Sequence, residues 1–499
     1  MLSSYAGGLG DVGGRSPALA VVHPTAIGFP ASVLIHLLLH TVCGILWLWP
    51  FFTDLYSLIK VPATGAHWVL SFLLHWSFVA ELALIAAAAL LCLRRKKACP
   101  MTPTARLSQG EFIALIAALF ATVAISIDAM LPALPEIAAS MSPADPNRAQ
   151  LVVTSFVFGM GIGTLFVGPL SDAFGRKRVL LWSATLFSAA ALACYFAPGL
   201  QSLLLARLVM GLGAAAPRVV GVAIVRDLFA GRQMAQVMSF VMMVFTLVPA
   251  VAPLMGQGII ALADWKVIFL VYIGFSAITT AWLALRQPET LPVSSRRPLA
   301  VASLVSATRE LFGHRVVIAS IVAQTLTLAA LFASLSSMQG IFEQRFDRAA
   351  SFPLWFAFIA LASSSGSILN AAVVVRLGMR RVVTVTYAAM LVLTVVVLGI
   401  TVAGLMPEVL AFPAHLLWSI ALFAMMGLSM GNLNALAMEP VGHIAGLAAS
   451  VTSAIATVMS VMIAVPVGLA FDRTAVPLMA GVMVFMALAL MTIKLAGKR

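Results

Sequence analysis

The sequence predicts an all-α polytopic membrane protein with two six-helix halves and a two-helix hairpin before them, fourteen spans in all. Three observations predict it. First, 62% of the 499 residues are hydrophobic and 9% are charged, with a mean hydropathy of +1.07. Soluble domains carry roughly 25% charged residues, so a soluble enzyme is excluded, as is a disordered chain. The 35 glycines show no three-residue period, which excludes a collagen-like chain. Second, apolar runs of about 20 residues, the length that crosses hydrocarbon as a helix, recur along the chain. Third, arginine and lysine concentrate in alternate connectors, the bias that orients helices in a membrane.

Residues 1–110 form an extension. Its Gly/Pro/Ser-rich start has Arg15 as its one basic residue and is a poor signal peptide, so the runs at 31–52 and 68–93 read as retained spans. Five of the eight histidines lie here: His23, His36, His40, His67 and His75. His36 and His40 share a helix face, and with His75 they offer a conceivable haem or metal site. Two histidines on an apolar helix are more often packing residues, so no metal and no cofactor is expected. Glu81 lies in the second of these spans. Cys43, Cys92, Cys99 and Cys194 form no CxxC, which argues against disulfides and zinc.

Spans 1 to 6 follow at 111–134, 149–170, 179–197, 201–224, 234–260 and 266–286, making a first half at 111–286. A polar, proline-containing connector occupies 287–315. Spans 7 to 12 lie at 316–340, 352–375, 382–402, 412–437, 446–470 and 476–494, making a second half at 316–499. Arg94 to Lys97, Arg176 to Arg178, Arg296 and Arg297, Arg376, Arg380 and Arg381, and Lys498 and Arg499 fall on one side if every span crosses. That side is the cytoplasm by the positive-inside bias, with both termini there and the protein in a bacterial inner membrane. The net charge of +13 is thereby explained without nucleic acid.

An internal repeat supports the two halves. FGRKRVLL after span 2 answers LGMRRVVT after span 8, aligning Gly175 with Gly378. MGLGAA at 210–215 answers MGLSMG at 426–431, and Pro253 answers Pro466. Duplicated halves let one rock against the other around a midplane site.

GPLSDAFGRKRVLL at 168–181 resembles the signature of the major facilitator superfamily. The resemblance implies a cytoplasmic latch of Gly168, Asp172, Gly175, Arg176, Arg178 and Asp227. In it Asp172 meets the start of span 11 and Arg176 reaches Asp227. SIDAMLPALPEI at 126–137, ARLVMGLGAAA at 206–216 and VPAVAPLMG at 248–256 resemble its drug:proton antiporter branch, closest to Bcr/CflA-type multidrug efflux proteins. Met210 stands where that branch often has Gln.

Asp128 lies 17 residues beyond Glu111, about 25 Å up span 1, and Arg207 lies 6 residues beyond Gln201, about 9 Å down span 4. In a layer of ~30 Å these levels nearly coincide. Either charge alone is costly in lipid. The pair is read as a proton-accepting carboxylate, Asp128, with Arg207 as its charge partner or modulator; a static ion pair is the alternative. Pro249, Pro253, Gly256 and Gly258 suit a tight seam between the halves at span 5, with ordinary kinked packing as the alternative. Arg218, deep in span 4, either snorkels or faces the cavity, with snorkelling favoured. Gln324, Asn370, Asn432 and Asn434 are candidate cavity residues; Gln339 is a further polar residue of span 7, and Glu439 closes span 10.

The function expected is export of small amphipathic or drug-like molecules, coupled to protons, by a monomer in the lipid bilayer. No GxxxxGK[ST] loop supports ATP-driven transport. Proton symport of a metabolite is one alternative. A redox or metal-binding protein using the histidine-containing hairpin is another.

Overall fold

A computed structural model describes residues 107–296 and 301–496. The expected spans at 31–52 and 68–93 lie outside the described residues, as do the five histidines of the extension, Arg297, Lys498 and Arg499. Among the described residues, twelve helices are long and apolar enough to cross a membrane. They are α1 (Gln109–Met141), α2 (Pro146–Phe174), α3 (Arg176–Tyr195), α4 (Leu200–Leu228), α5 (Gly231–Leu262) and α6 (Val267–Arg286). The others are α7 (Arg315–Gln344), α8 (Phe352–Leu377), α9 (Met379–Val402), α10 (Glu408–Ile444), α11 (Gly446–Leu469) and α12 (Val476–Leu495).

Three elements depart from the sequence reading. Span 1 was expected to close near its two prolines. Instead the α-helix ends at Asp128, a 3-10 turn covers Leu131–Ala133, and Leu134–Met141 is helical again. Pro132 and Pro135 each stand in the first turn of a new segment, where the missing N–H costs nothing, so they redirect the chain without ending it. The connector 287–315 contains a helix at Val301–Gly313. Its Leu311 is buried with Val317, Ile321, Val441, Ala448 and Val451, which anchors the connector to the second half. Finally, α8 breaks at Ser364 into Phe352–Ser363 and Ser365–Leu377.

The repeat is visible in backbone geometry. Gly175 (φ 101, ψ 150) and Gly378 (φ 80, ψ 147) cap α2 and α8 in the same left-handed-side conformation, which favours a residue without Cβ. A Cβ on Gly159 of α2 would stand 2.0 Å from Leu208 O of α4, and one on Gly366 of α8 would stand 2.3 Å from Ala424 O of α10. Likewise Gly211 of α4 abuts α2 at Phe156, and Gly427 of α10 abuts α8 at Ser367. Glycine thus brings α2 to α4, and α8 to α10, at backbone contact.

Between the halves, α2 packs on α11, and α5 packs on the first segment of α8. The connectors alternate between a basic end, holding Arg176, Arg226, Arg296, Arg376 and Arg380, and an opposite end. At the opposite end Asn147 Nδ2 donates to Leu469 O (3.0 Å) and Phe471 O (2.7 Å), and Gln257 Nε2 donates to Ala350 O (3.1 Å). Toward the basic end the second segment of α8 packs on α9 and α10 and leaves Ile368 and Leu369 exposed.

Candidate functional site: a buried acid and guanidinium in the first half

Arg207 is fully buried (0% exposed). The close approach of α2 and α4 at Gly159 and Gly211 puts Val152 O within reach of its Nε, at 3.1 Å. Its Nη2 donates to Ser126 O of α1 at 3.0 Å, and its Nη1 contacts Met210 Sδ at 3.6 Å. The ring of Phe156 covers the guanidinium, with Cζ 4.5 Å from the centroid, a cation–π arrangement. The planar fork therefore joins α1, α2 and α4, which a point-charge ammonium could not do.

Asp128 is 6% exposed and forms no hydrogen bond or ion pair among the described residues. The direct pair with Arg207 that the sequence suggested is absent in this conformation, because the guanidinium donors lie on main-chain carbonyls. The acid is nonetheless two residues from the carbonyl that Arg207 holds. Tyr272 of α6 is buried with its Oη unpartnered, within electrostatic range of both charges. On the other side, a Cβ on Gly256 of α5 would stand 2.1 Å from Ala129 O. Gly256 therefore seals α5 against α1 within the first half, beside Asp128, and not the seam between the halves expected of it.

The remaining seam residues divide. Pro249 and Pro253 lie inside a helix that continues through them. Gly258 is exposed with nothing near its Cβ position, so it makes no close approach. Contact between α5 and the second half is made by Ala250, with Ala357 and Ala360, and by Gln257.

At the basic end, Arg176 (4% exposed) donates through Nε to Asp227 Oδ2 (3.0 Å) and through Nη1 to Asp172 and to Ser171 Oγ (2.7 Å). Glu289, just after α6, accepts from the backbone N–H groups of Arg176 (2.9 Å) and Lys177 (3.1 Å). It caps the start of α3 with negative charge. Thr290 Oγ1 donates to Asp227 Oδ2 at 3.1 Å. Sequence reading missed Glu289; its signal was an acid directly after a proline at the end of a span, in QPET. Arg178 is exposed and stands outside this network. The network stays within the first half and the connector. Gly168 approaches Ser450 of α11, and Arg226 approaches Gly446 where α11 begins.

In the second half, Asn432 Nδ2 donates to Asn370 Oδ1 at 2.7 Å, linking α10 to α8. Gln324 is buried with Nε2 unpartnered, as is Oε1 of Gln339, and Asn434 is exposed. His415, which the sequence reading passed over, is buried without a partner on either nitrogen and stacks on Trp418 at 5.7 Å.

Charged groups enclosed among repeated lipid-crossing helices mark a polytopic membrane protein with a functional interior. A model of the Major Facilitator Superfamily matches residues 112–467, and the chain belongs to that superfamily. It is 30% identical over 369 residues to the uncharacterized MFS-type transporter YdgK of Bacillus subtilis, covering 71% of this chain and 87% of that one. It is 30% identical over 266 residues to a bicyclomycin resistance protein homolog of Haemophilus influenzae, covering 52% of this chain and 66% of that one. Among solved structures, the D-xylose-proton symporter is similar at a TM-score of 0.61 and 16% identity, over 77% of this chain and 96% of that one. That last likeness concerns the fold alone.

Proposed function

We propose that the protein exports amphipathic, drug-like molecules in exchange for protons, by alternating access between halves 111–286 and 316–499. The observation that carries the reading is the placement of Asp128. It is a buried carboxyl without a hydrogen-bond partner, at a helix break, between the carbonyl gripped by Arg207 and the backbone contact made by Gly256. Shifting α4 or α5 changes what faces the carboxyl, and a carboxyl whose surroundings alternate takes up and releases a proton. A membrane potential adds about 2.3 kcal/mol per charge per 100 mV to such a cycle.

Similarity to the bicyclomycin resistance protein homolog supports a drug-like cargo. Soft apolar side chains on α5 and α8, among them Met242, Leu254 and Leu369, suit it too. In this reading the basic end is cytoplasmic, the Asp172–Arg176–Asp227 cluster belongs to a latch at that face, and one chain is the working unit.

The test is uptake of a dye panel into inverted membrane vesicles with an imposed pH gradient. Asp128→Asn is expected to insert normally and to take up dye at the background rate. Gradient-driven uptake equal to wild type in that variant rejects the assignment.

A further inference from the structure

Arg218 sits 11 residues, three helical turns, beyond Arg207, and so lies on nearly the same face of α4. The two differ in surroundings: Arg207 is enclosed, whereas Arg218 is exposed. The packing of α4 identifies what Arg218 is exposed to. Gly213 meets α3 at Phe187, Gly211 and Ala215 meet α2, and Gly221 meets α1 at Phe120. Three sides are thereby covered. Arg218 takes the side between α1 and α2, whereas the exposed Leu205 takes the side between α2 and α3. Snorkelling, the sequence-based preference, is not needed to bring this side chain to water.

The repeat supplies a second, independent marker. The register that pairs MGLGAA with MGLSMG, and Leu208 with Ala424 at matching glycine contacts, also pairs Arg218 with Asn434 of α10. Asn434 is exposed as well, and so is Gly431, one turn before it. Where corresponding faces of two repeated halves turn toward the shared axis, they confront each other across it. Arg218 forms no hydrogen bond or ion pair among the described residues, and of the acids described within the spans none is placed with it. Asp128 is buried near Arg207, Asp172 and Asp227 pair with Arg176, Glu111 pairs with Arg286, Glu408 pairs with Arg345, Glu136 and Glu343 lie toward the opposite end, and Glu439 is exposed after α10 has passed Asn434.

We propose that Arg218 is an anion-binding group in the space between the halves, with Asn434 as a hydrogen-bonding partner across it. The molecules carried therefore bear a carboxylate, sulfonate or phosphate on an otherwise apolar body. Closing the cleft over an empty Arg218 would strip water from a lone cation, which is costly. An anion seated there offsets that cost, so closure follows loading. The guanidinium fork suits planar oxyanions bound through two parallel hydrogen bonds.

This inference rests on the transport reading, and its test separates the two. Binding of carboxyfluorescein and of the cationic dye ethidium to purified protein is measured by fluorescence anisotropy, beside gradient-driven uptake of both into inverted vesicles. Arg218→Gln should weaken carboxyfluorescein binding about tenfold or more, the worth of a charge-assisted hydrogen bond, and leave ethidium binding within about twofold. Arg218→Lys should recover only part of the affinity, because an ammonium keeps the charge and loses the two-bond fork, and Asn434→Ala should show a smaller loss than Arg218→Gln. Equal carboxyfluorescein binding by wild type and Arg218→Gln, or an equal loss for both dyes, overturns the proposal. Absence of gradient-driven uptake of either dye by wild type, with the binding difference intact, overturns proton-coupled transport and leaves the anion site standing.

Discussion

Around α4, Gly159 and Gly211 bring α2 to backbone contact; around α10, Gly366 and Gly427 bring α8 equally close. Yet one residue from Leu208 the first half places Arg207, buried under Phe156 and bonded to two neighbouring helices. The corresponding position in the second half is Phe423, which meets Phe356 edge-on with centroids 6.0 Å apart. The same spacing thus holds a cation in one half and an aromatic pair in the other. Small residues set how closely helices approach, and the side chains admitted into that spacing divide the work. The first half holds the acid and guanidinium. The second supplies amides and apolar surface.

The largest effect should come from breaking the shared packing. Gly159→Val and Gly366→Val place carbon against a backbone carbonyl that cannot move aside. Both are expected to abolish monodisperse, thermally cooperative protein in detergent, as read by size exclusion and unfolding scans. Survival of one alone would show that the two halves do not depend on this contact equally.

A sharper comparison uses the paired caps. Gly175→Ala and Gly378→Ala both force a side chain into positive φ, a strain of about 1–3 kcal/mol. At Gly175 the added carbon would also stand 2.6 Å from Glu289 Oε2 and displace the carboxylate that caps α3, whereas nothing lies near Gly378. Thermal unfolding should therefore be lowered more by Gly175→Ala. Equal shifts would mean that the Glu289 cap contributes little.

The smallest effect is expected at Asn432→Ala, which removes the α8–α10 hydrogen bond. Double-mutant cycles in membrane helices average about 0.6 kcal/mol for such bonds. A loss of that order in unfolding free energy, with transport retained, fits packing; a large loss of transport at unchanged stability would make the amide pair part of the substrate path.

Much of this was legible beforehand. Apolar run length marked the twelve described helices, and Gly175, Arg176, Asp172 and Asp227 were readable from one short loop and one distant acid. Arg178 shares that loop, which by sequence places it in the cluster, but it leaves the next helix on the opposite side. Glu289 escaped because its partners are more than a hundred residues away. The relation of Asp128 to Arg207 was read from axial depth, which says nothing of azimuth or of competing carbonyls.

The sequence by itself determined that long apolar helices recur along a membrane protein, that glycine and proline motifs repeat between its two parts, and which few charges fall inside apolar runs. Length, hydropathy and repetition are properties of the chain in order, so the order suffices for them. Tertiary structure alone decided that Arg207 is enclosed and Arg218 open, although both lie on one helical face. Enclosure depends on which neighbouring helices have converged at that depth, and convergence is a property of distant segments packed together.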